Sequence, residues 1–223
     1  MNLTLDGLEK ELKKRFSPTN TIGARNQVNY VRYCDDLIIT GRTRELLESE
    51  VVPLVEKFLK ERGLELSPTK TKITNISDGF DFLGKYIRKY KGKLLIKPST
   101  KNVKAILSKI RQTVKSNLHT SAEDLILKLN PIIKGLVNYH RCIVSKKAFS
   151  KVDNVIFRCL WLWAKRRHPN KSRTWRKEKY FKSMGTRKWI FQATFINKDG
   201  ELRPIYLAQA ADVAIKRHIK IKS

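Results

Sequence analysis

The chain has 223 residues, with 48 Lys and Arg against 20 Asp and Glu, and a formal net charge of +28. A hydrophobic content of 41% with nine Phe and four Trp excludes disorder by composition, and the length suits one large or two small domains. Three scattered Cys predict no disulfide framework or zinc site, and therefore a reducing compartment. We expect no membrane span or secretory signal. Such a charge favours nucleic acid as the partner, ahead of an anionic membrane surface.

The positive charge is concentrated in the second half of the sequence. Residues 1–100 contain 19 Lys and Arg against 13 Asp and Glu, whereas residues 101–223 contain 29 against 7. This step in charge coincides with the loop-like pair Pro98-Ser99. We therefore predict a boundary there, between a nearly balanced first part and a strongly basic second part.

The first part mixes helical and strand patterns. An amphipathic helix is predicted over residues 4–15 by apolar side chains three or four residues apart: Leu5, Leu8, Leu12 and Phe16. Two β-rich runs, Val28–Arg32 and Leu37–Thr40, predict a hairpin with two carboxylates at its tip. A second helix is predicted to begin after Thr43, to kink at Pro53 and to end near Gly63. Short strands are expected over residues 64–66, 72–75, 82–88 and 94–97.

After Pro98 the apolar period becomes helical. We predict one helix with a stripe from Val103 to Val114, and a second that opens at Ser121 with a capping box and is bent at Pro131. A third helix is predicted over residues 147–166. Short links between the three favour a small bundle. Beyond residue 168 the pattern is irregular, aromatic and basic.

The two carboxylates at the hairpin tip, Asp35 and Asp36, allow two interpretations. Turns favour Asp because its side chain makes local hydrogen bonds. However, a turn needs only one Asp, and adjacent like charges repel each other unless a divalent cation is present. Mg²⁺ accepts carboxylates together with substrate phosphates, as in two-metal phosphoryl transfer. Residue chemistry leaves the structural and the metal-binding interpretations open.

The segment Tyr33-Cys34-Asp35-Asp36 resembles the Tyr-x-Asp-Asp signature of reverse transcriptases. Further motifs of group II intron proteins follow in the order of that family: 63–72, 80–85, 129–141, 166–171 and 179–181. The chain thus resembles the C-terminal part, the second half of the palm plus the thumb/maturase domain, of a group II intron-encoded reverse transcriptase/maturase.

This resemblance implies an α+β fold in three parts. Residues 1–97 would form a partial reverse-transcriptase palm of antiparallel hairpins plus helices, including a carboxylate hairpin and a hairpin like the primer grip. Residues 98–190 would form an all-α three-helix thumb/maturase domain. Residues 191–223 would be a basic tail that resembles the lead-in to a missing DNA-binding/nuclease region.

The resemblance also implies site residues. Asp35 and Asp36 would be catalytic and would bind Mg²⁺, in a site that is incomplete because family members carry another catalytic Asp in the preceding half of the palm. Contacts to primer or template are implied for the following residues: Tyr33, Lys70, Phe82, Leu83 and Gly84. Contacts to RNA are implied for a larger set: Lys134, Tyr139, His140, Arg141, Arg166, Arg167, His168, Lys171, Arg176, Lys179 and Tyr180. Several of these residues equally suit structural roles, Tyr139 at a core edge among them.

The expected function is that of an RNA-binding maturase fragment, which assists folding and splicing of a group II intron RNA without polymerising DNA on its own. The alternative is the catalytic half of a split RNA-directed DNA polymerase, completed by a partner chain that supplies fingers and the first half of the palm. Primer–template nucleic acid is a further expected partner and a membrane is not. The expected compartment is a bacterial-type cytoplasm or an organellar matrix.

Overall fold

The computed structural model describes residues 3–16, 26–185, 187–197 and 199–216, with the backbone alone at residues 3, 187 and 188. The chain separates into two compact units, Met1–Asn75 and Ile76–Ser223, called here the first and the second unit. Within the described residues, each helix is too short or too polar to cross a membrane. The domain boundary that the sequence predicts near Pro98 lies inside the second unit. The position of the boundary between the palm and the maturase domain therefore stays a prediction.

After a short 3₁₀ helix (Leu3–Leu5), the described residues of the first unit form two helical segments and one hairpin. Its elements in chain order are α1 (Leu8–Phe16), β1 (Asn29–Tyr33), β2 (Asp36–Thr40), α2 (Arg44–Leu46), a π-helical turn (Leu47–Val51) and α3 (Val52–Lys60). Helix α1 buries Leu8, Leu12 and Phe16, which matches the predicted stripe. These side chains share a core with Leu46, Val51, Val55, Phe58 and Leu59.

The helix predicted after Thr43 is present but interrupted. The Thr43 hydroxyl accepts the backbone N–H of Leu46, as an N-cap residue should. The π-helical turn precedes Pro53, which cannot donate a backbone hydrogen bond, so the chain changes its helical pitch there instead of kinking one continuous α-helix. The strands predicted over residues 64–66 and 72–75 are irregular segments. A turn lies between them, in which the Ser67 carbonyl accepts the Lys70 N–H at 3.1 Å.

The second unit begins with a three-stranded antiparallel sheet. Its strands are β3 (Phe80–Phe82), β4 (Lys85–Tyr90) and β5 (Lys93–Pro98), paired in that order. The single strand predicted over residues 82–88 is divided by a two-residue turn at Leu83 and Gly84, whose φ angles are 46° and 68°. Two consecutive positive φ angles are typical of the type I′ turns that close tight hairpins.

Three long helices follow, as the apolar periods predict: α4 (Thr100–Ser116), α5 (Ala122–His140) and α6 (Lys146–Arg167). Ser99 and Ser121 cap the first two, because their hydroxyls accept the backbone N–H of Asn102 and Asp124. The apolar stripes meet in one core that includes Ile110, Leu129 and Trp163. Together with the hairpins, these helices confirm the α+β class.

The end of the chain is more regular than its sequence suggests. Its elements are α7 (Arg173–Tyr180), β6 (Phe181–Met184), β7 (Arg187–Ile196), β8 (Leu202–Tyr206) and a 3₁₀ turn (Ala210–Asp212). The strands form an antiparallel sheet whose residues Phe181 and Phe191 join the helical core. Irregular register between Lys182 and Met184 interrupts the β6–β7 ladder, so β6 does not follow a regular period of two.

Candidate nucleic-acid interface

The carboxylate pair lies at the tip of the β1–β2 hairpin. Tyr33 pairs with Asp36 at the end of the ladder, and Cys34 and Asp35 form the turn. Cys34 has a φ of 56°, a left-handed conformation that a tight turn imposes on this position. Tyr33, Cys34, Asp35 and Asp36 are all exposed. The fold therefore presents both carboxylates to solvent.

The two carboxylates of this tip do not by themselves make up a metal site. Nowhere in the described ranges do three or more His, Cys, Asp or Glu side chains converge so that they could hold a metal ion. Mg²⁺ demands a near-octahedral shell of oxygen ligands, of which Asp35 and Asp36 could supply a fraction. The residues present do not fit a complete site, and we derive no catalytic step from them.

The β3–β4 turn, by contrast, meets the end of α5. The Tyr139 hydroxyl donates a hydrogen bond of 2.6 Å to the Leu83 carbonyl, across 56 positions of sequence. The Lys85 ammonium lies 5.1 Å from the centre of the Tyr139 ring, at cation–π distance. Tyr139 remains 47% exposed. The structure thus joins two motifs that lie far apart in the sequence, the Phe-Leu-Gly turn and the Asn-Tyr-His-Arg segment.

Polar groups at the start of α4 pack against this turn, where Ser99 is buried and Asn102 is half-buried. The Gly84 carbonyl accepts the Ser99 N–H at 2.9 Å. A Cβ atom at Gly84 would lie 2.9 Å from the Asn102 side-chain nitrogen, so the turn packs directly on Asn102. Asn102 Oδ1 lies 3.2 Å from His140 Nε2. Asn102, which sequence reasoning missed, therefore links the turn to α5.

His140 is completely buried. Burial, reinforced by the charge of Lys85, lowers the pKa of the His140 imidazole to about 4. The side chain is therefore neutral at physiological pH and supports the hairpin. A buried neutral imidazole does not present a charge to RNA phosphates, so we assign His140 to the fold and not to the RNA surface.

A second polar cluster lies where α6 ends and α7 begins. Arg167 donates to the carbonyls of Leu118 and Thr120 at 3.1 and 2.6 Å. His168 Nε2 lies 2.7 Å from the Tyr180 hydroxyl, and Arg176 donates to the His168 carbonyl at 3.3 Å. Burial, with nearby cations, lowers the pKa of His168. Arg176 and Tyr180 are buried. These contacts tie the segment together, and the side chains of Arg176 and Tyr180 are not available to an external phosphate.

The remaining cations predicted to bind RNA are exposed: Lys134, Arg141, Arg166, Lys171 and Lys179. None of them has an ion-pair partner within the part of the chain that the structure describes. The ammonium groups of Lys171 and Lys179 lie 5.5 and 4.8 Å from the centre of the half-buried Trp175 ring. A phosphate that approaches these cations would displace only water and counterions.

Helix α4 adds a basic face that sequence reasoning missed. It contains no acidic residue in its 17 positions. Its opposite face is buried, while four exposed cations follow one stripe at spacings of three, seven and four residues: Lys101, Lys104, Arg111 and Lys115. The spacing of these four cations can be seen in the sequence, but an ordinary solvent-exposed helix face has the same pattern. Only the surrounding excess of cations makes it part of a candidate RNA surface.

Two family models match separate parts of the chain. Residues 1–87 match the family model described as "Reverse transcriptase (RNA-dependent DNA polymerase)". Residues 103–181 match the model described as "Group II intron, maturase-specific domain". The chain therefore contains a reverse-transcriptase segment followed by a maturase-specific segment.

Two relatives extend this assignment. A chain of Euglena longa named "Maturase-like protein 1" is 28% identical over 116 residues, which cover 46% of this chain and 25% of that protein. The "Uncharacterized 91 kDa protein in cob intron" of Schizosaccharomyces pombe is 42% identical over 60 residues, covering 26% of this chain and 7% of that protein. The matches span a quarter or less of either relative. Through these matches the chain is similar to a fragment of a group II intron reverse transcriptase/maturase.

Proposed function

We propose that this chain is an RNA-binding maturase segment that helps a group II intron RNA to fold and to splice. One observation supports the proposal above the others. The residues that match the maturase-specific model bear exposed cations, among them Lys134, Arg141 and Arg166, for which the described residues provide no acidic partner. This favours the maturase role over the catalytic half of a split polymerase.

The physical basis is neutralisation of phosphate. RNA condenses counterions, and their release when Lys or Arg approaches the backbone contributes most of the sequence-independent affinity. Arg166 can bind a phosphate bidentately through its planar guanidinium, while Lys171 and Lys179 act as point charges. The RNA supplies the splicing chemistry, and the protein lowers the electrostatic cost of bringing RNA helices together.

The reverse-transcriptase segment has a conditional role in this proposal. Reverse-transcriptase domains generally use divalent metal ions. Asp35 and Asp36 are the residues that would hold Mg²⁺ here if further ligands were supplied, together with primer–template contacts at Tyr33, Lys70 and the Phe82–Gly84 turn. A second chain could supply those ligands. We expect no polymerisation by the described residues alone, and we place the protein where intron transcripts are made, in a cytoplasm or an organellar matrix.

Binding to a transcribed group II intron RNA, measured at several salt concentrations, tests this function. If five exposed cations contact phosphates, log K should fall against log salt with a slope of about −3.5 to −4.5. The protein should also accelerate splicing of the precursor at low Mg²⁺. The paired substitution Asp35→Asn and Asp36→Asn is the control, which should leave affinity and splicing intact because it removes only negative charge. A salt-insensitive complex, or splicing unchanged by the protein, would reject the proposal.

A further inference from the structure

The second unit has an aromatic surface that the phosphate contacts do not explain. Phe157 and Trp161 on α6 lie near-parallel, with ring centres 6.4 Å apart and planes 20° apart. Trp189 on β7 closes the group, at 6.1 Å from Phe157 and 5.8 Å from Trp161. Phe157 is 37% exposed, and both Trp rings are half-buried, whereas Trp163 on the same helix is fully buried in the core.

A cavity of about 410 Å³ opens beside these rings. Phe157 and Trp189 line it together with the buried Phe181 and Phe191, and Asn154 and Gln209 are among its polar lining residues. The volume lies in the usual range for ligand pockets, which combine apolar walls with a few polar groups. The cavity is therefore suited to a flat, partly polar guest.

Some polar groups of the cavity make hydrogen bonds within the protein, and others have donors or acceptors left for a ligand. Asp153 accepts the backbone N–H groups of Ala210 and Ala211, each at 2.8 Å, and so holds the wall formed by residues 207–211. The Asn154 side-chain nitrogen donates to the Ser150 carbonyl at 3.2 Å, which leaves its oxygen available. The side-chain amide of Gln209 has no hydrogen-bond partner among the residues the structure describes. These two amides can donate to and accept from the edge of a nucleobase.

Cations surround the aromatic group. The Arg173 guanidinium lies 5.6 Å from the Trp161 ring centre, and the Lys177 ammonium lies 4.8 Å from that of Trp189. Both side chains are exposed, and α7 contains four cations against one acid. An apolar protein segment would gain little from such a rim, whereas the phosphates on either side of an unpaired base would match it.

We propose that this pocket receives one unpaired base of the bound RNA, stacked on the face of Phe157 with its edge toward Trp189, whose plane is 77° from that of Phe157, and with its flanking phosphates on Arg173 and Lys177. The proposal rests on the proposed RNA-binding function and adds to it a preference for bulged or looped RNA over continuous duplex. Stacking on aromatic rings accepts every base, so the preference is for an unpaired base and not for a sequence.

The test compares two short RNA hairpins that differ by a single bulged nucleotide, with 2-aminopurine at the bulge. The wild-type protein should bind the bulged hairpin about 5- to 150-fold more tightly, the range that stacking of one base supplies. The fluorescence of 2-aminopurine should fall on binding because the base stacks. Phe157→Leu, which keeps an apolar side chain, should reduce the preference to about twofold or less, whereas Phe157→Tyr should retain it.

Leu162→Ala is the matched control, since Leu162 is a 50% exposed apolar residue on the same helix and outside the cavity lining. It should leave the preference unchanged. If the wild-type protein binds both hairpins equally and with salt sensitivity, the proposal of a base-binding pocket is wrong, while the proposed function stands. The same conclusion follows if Phe157→Leu keeps the preference for the bulged hairpin. A pocket that receives a protein side chain would also give equal binding. Failure to bind either hairpin or the intron RNA would instead reject the proposed function.

Discussion

The two units use the same charged residue types in opposite ways. The first contains 13 Lys and Arg against 11 Asp and Glu, whereas the second contains 35 against 9. In the first unit many of the charges pair, as in Arg32–Asp6 at 2.7 Å, Arg15–Glu50 at 3.2 Å and Arg44–Glu48 at 2.7 Å. In the second unit Arg203 pairs with Glu201 at 2.8 Å, but the acids are too few to pair with most of the cations.

A surface whose charges are paired and a surface whose cations are unpaired differ in how they interact with a polyanion. Exposed ion pairs contribute only about 0–1 kcal/mol each to stability, but they cancel the field that a polyanion would feel. Unpaired cations stabilise the folded state even less, and their mutual repulsion is relieved when a polyanion binds. We therefore expect the second unit to be responsible for RNA affinity, and the first to be nearly neutral toward RNA.

The largest expected effect is on affinity for intron RNA. Replacing Arg166, Lys171 and Lys179 by Gln should weaken binding about 100-fold near 0.15 M salt, since about three phosphate contacts are lost. The salt slope should become less steep by about 2 to 3. Filter binding across a salt series measures both quantities.

A matched triple variant in the first unit gives the control for this comparison. Lys10, Lys14 and Lys60 are exposed and have no ion-pair partner among the described residues. Their replacement by Gln should change affinity by less than about threefold. If the two triple variants lose the same amount of RNA affinity, binding depends on net charge alone. The expected difference in RNA affinity between the two units would then be wrong.

The second expected effect is a pH dependence of stability confined to the second unit. Because the pKa of His140 in the folded state, about 4, lies below the ordinary value of 6.5, the unfolded state binds more protons between these pH values. The contribution of His140 to the free energy of unfolding is therefore fully present above about pH 6.5. It is lost as the pH falls toward 4, and the total loss is up to ~3 kcal/mol. Urea unfolding can follow this, since all four Trp lie in the second unit.

The His140→Leu variant should lose this part of the pH profile, whatever its absolute stability. Burial raises the pKa of Asp153, which gives a slope of the opposite sign, so the informative quantity is the difference between wild-type and variant profiles. Identical profiles for the two proteins would show that His140 is not the buried neutral group described here.

The smallest expected effect is on the stability of two Gly→Ala variants. The glycines have similar φ angles, +68° at Gly84 and +67° at Gly63. Gly63→Ala should cost the first unit about 1 kcal/mol, because only left-handed strain is added in open space. Gly84→Ala should cost the second unit about 2 kcal/mol, since its Cβ would also displace Asn102 from His140. Hydrogen exchange on peptides from each unit measures the two costs. Equal costs would show that the turn does not pack on Asn102.

The sequence predicted the features whose causes are local. Thr43 and Ser121 cap helices because a hydroxyl can reach a backbone N–H only three residues away. The apolar stripes of α4, α5 and α6 and the hairpin that presents Asp35 and Asp36 follow from periods of three to four and of two. The family motifs likewise lie in contiguous segments, which is why the resemblance could be stated before any fold was known.

Only the tertiary structure decided which residues of those motifs face solvent. Arg166 is exposed while Arg167, its neighbour, is bonded to two carbonyls of a distant loop, and His140 is buried beside an exposed Tyr139. The meeting of Leu83 with Tyr139, and the aromatic pocket between α6, β7 and residues 207–211, depend on packing between segments far apart in sequence. A polar or aromatic side chain satisfies its hydrogen bonds and buries its surface equally well inside a protein or against RNA, so its local pattern does not distinguish the two, and long-range packing does.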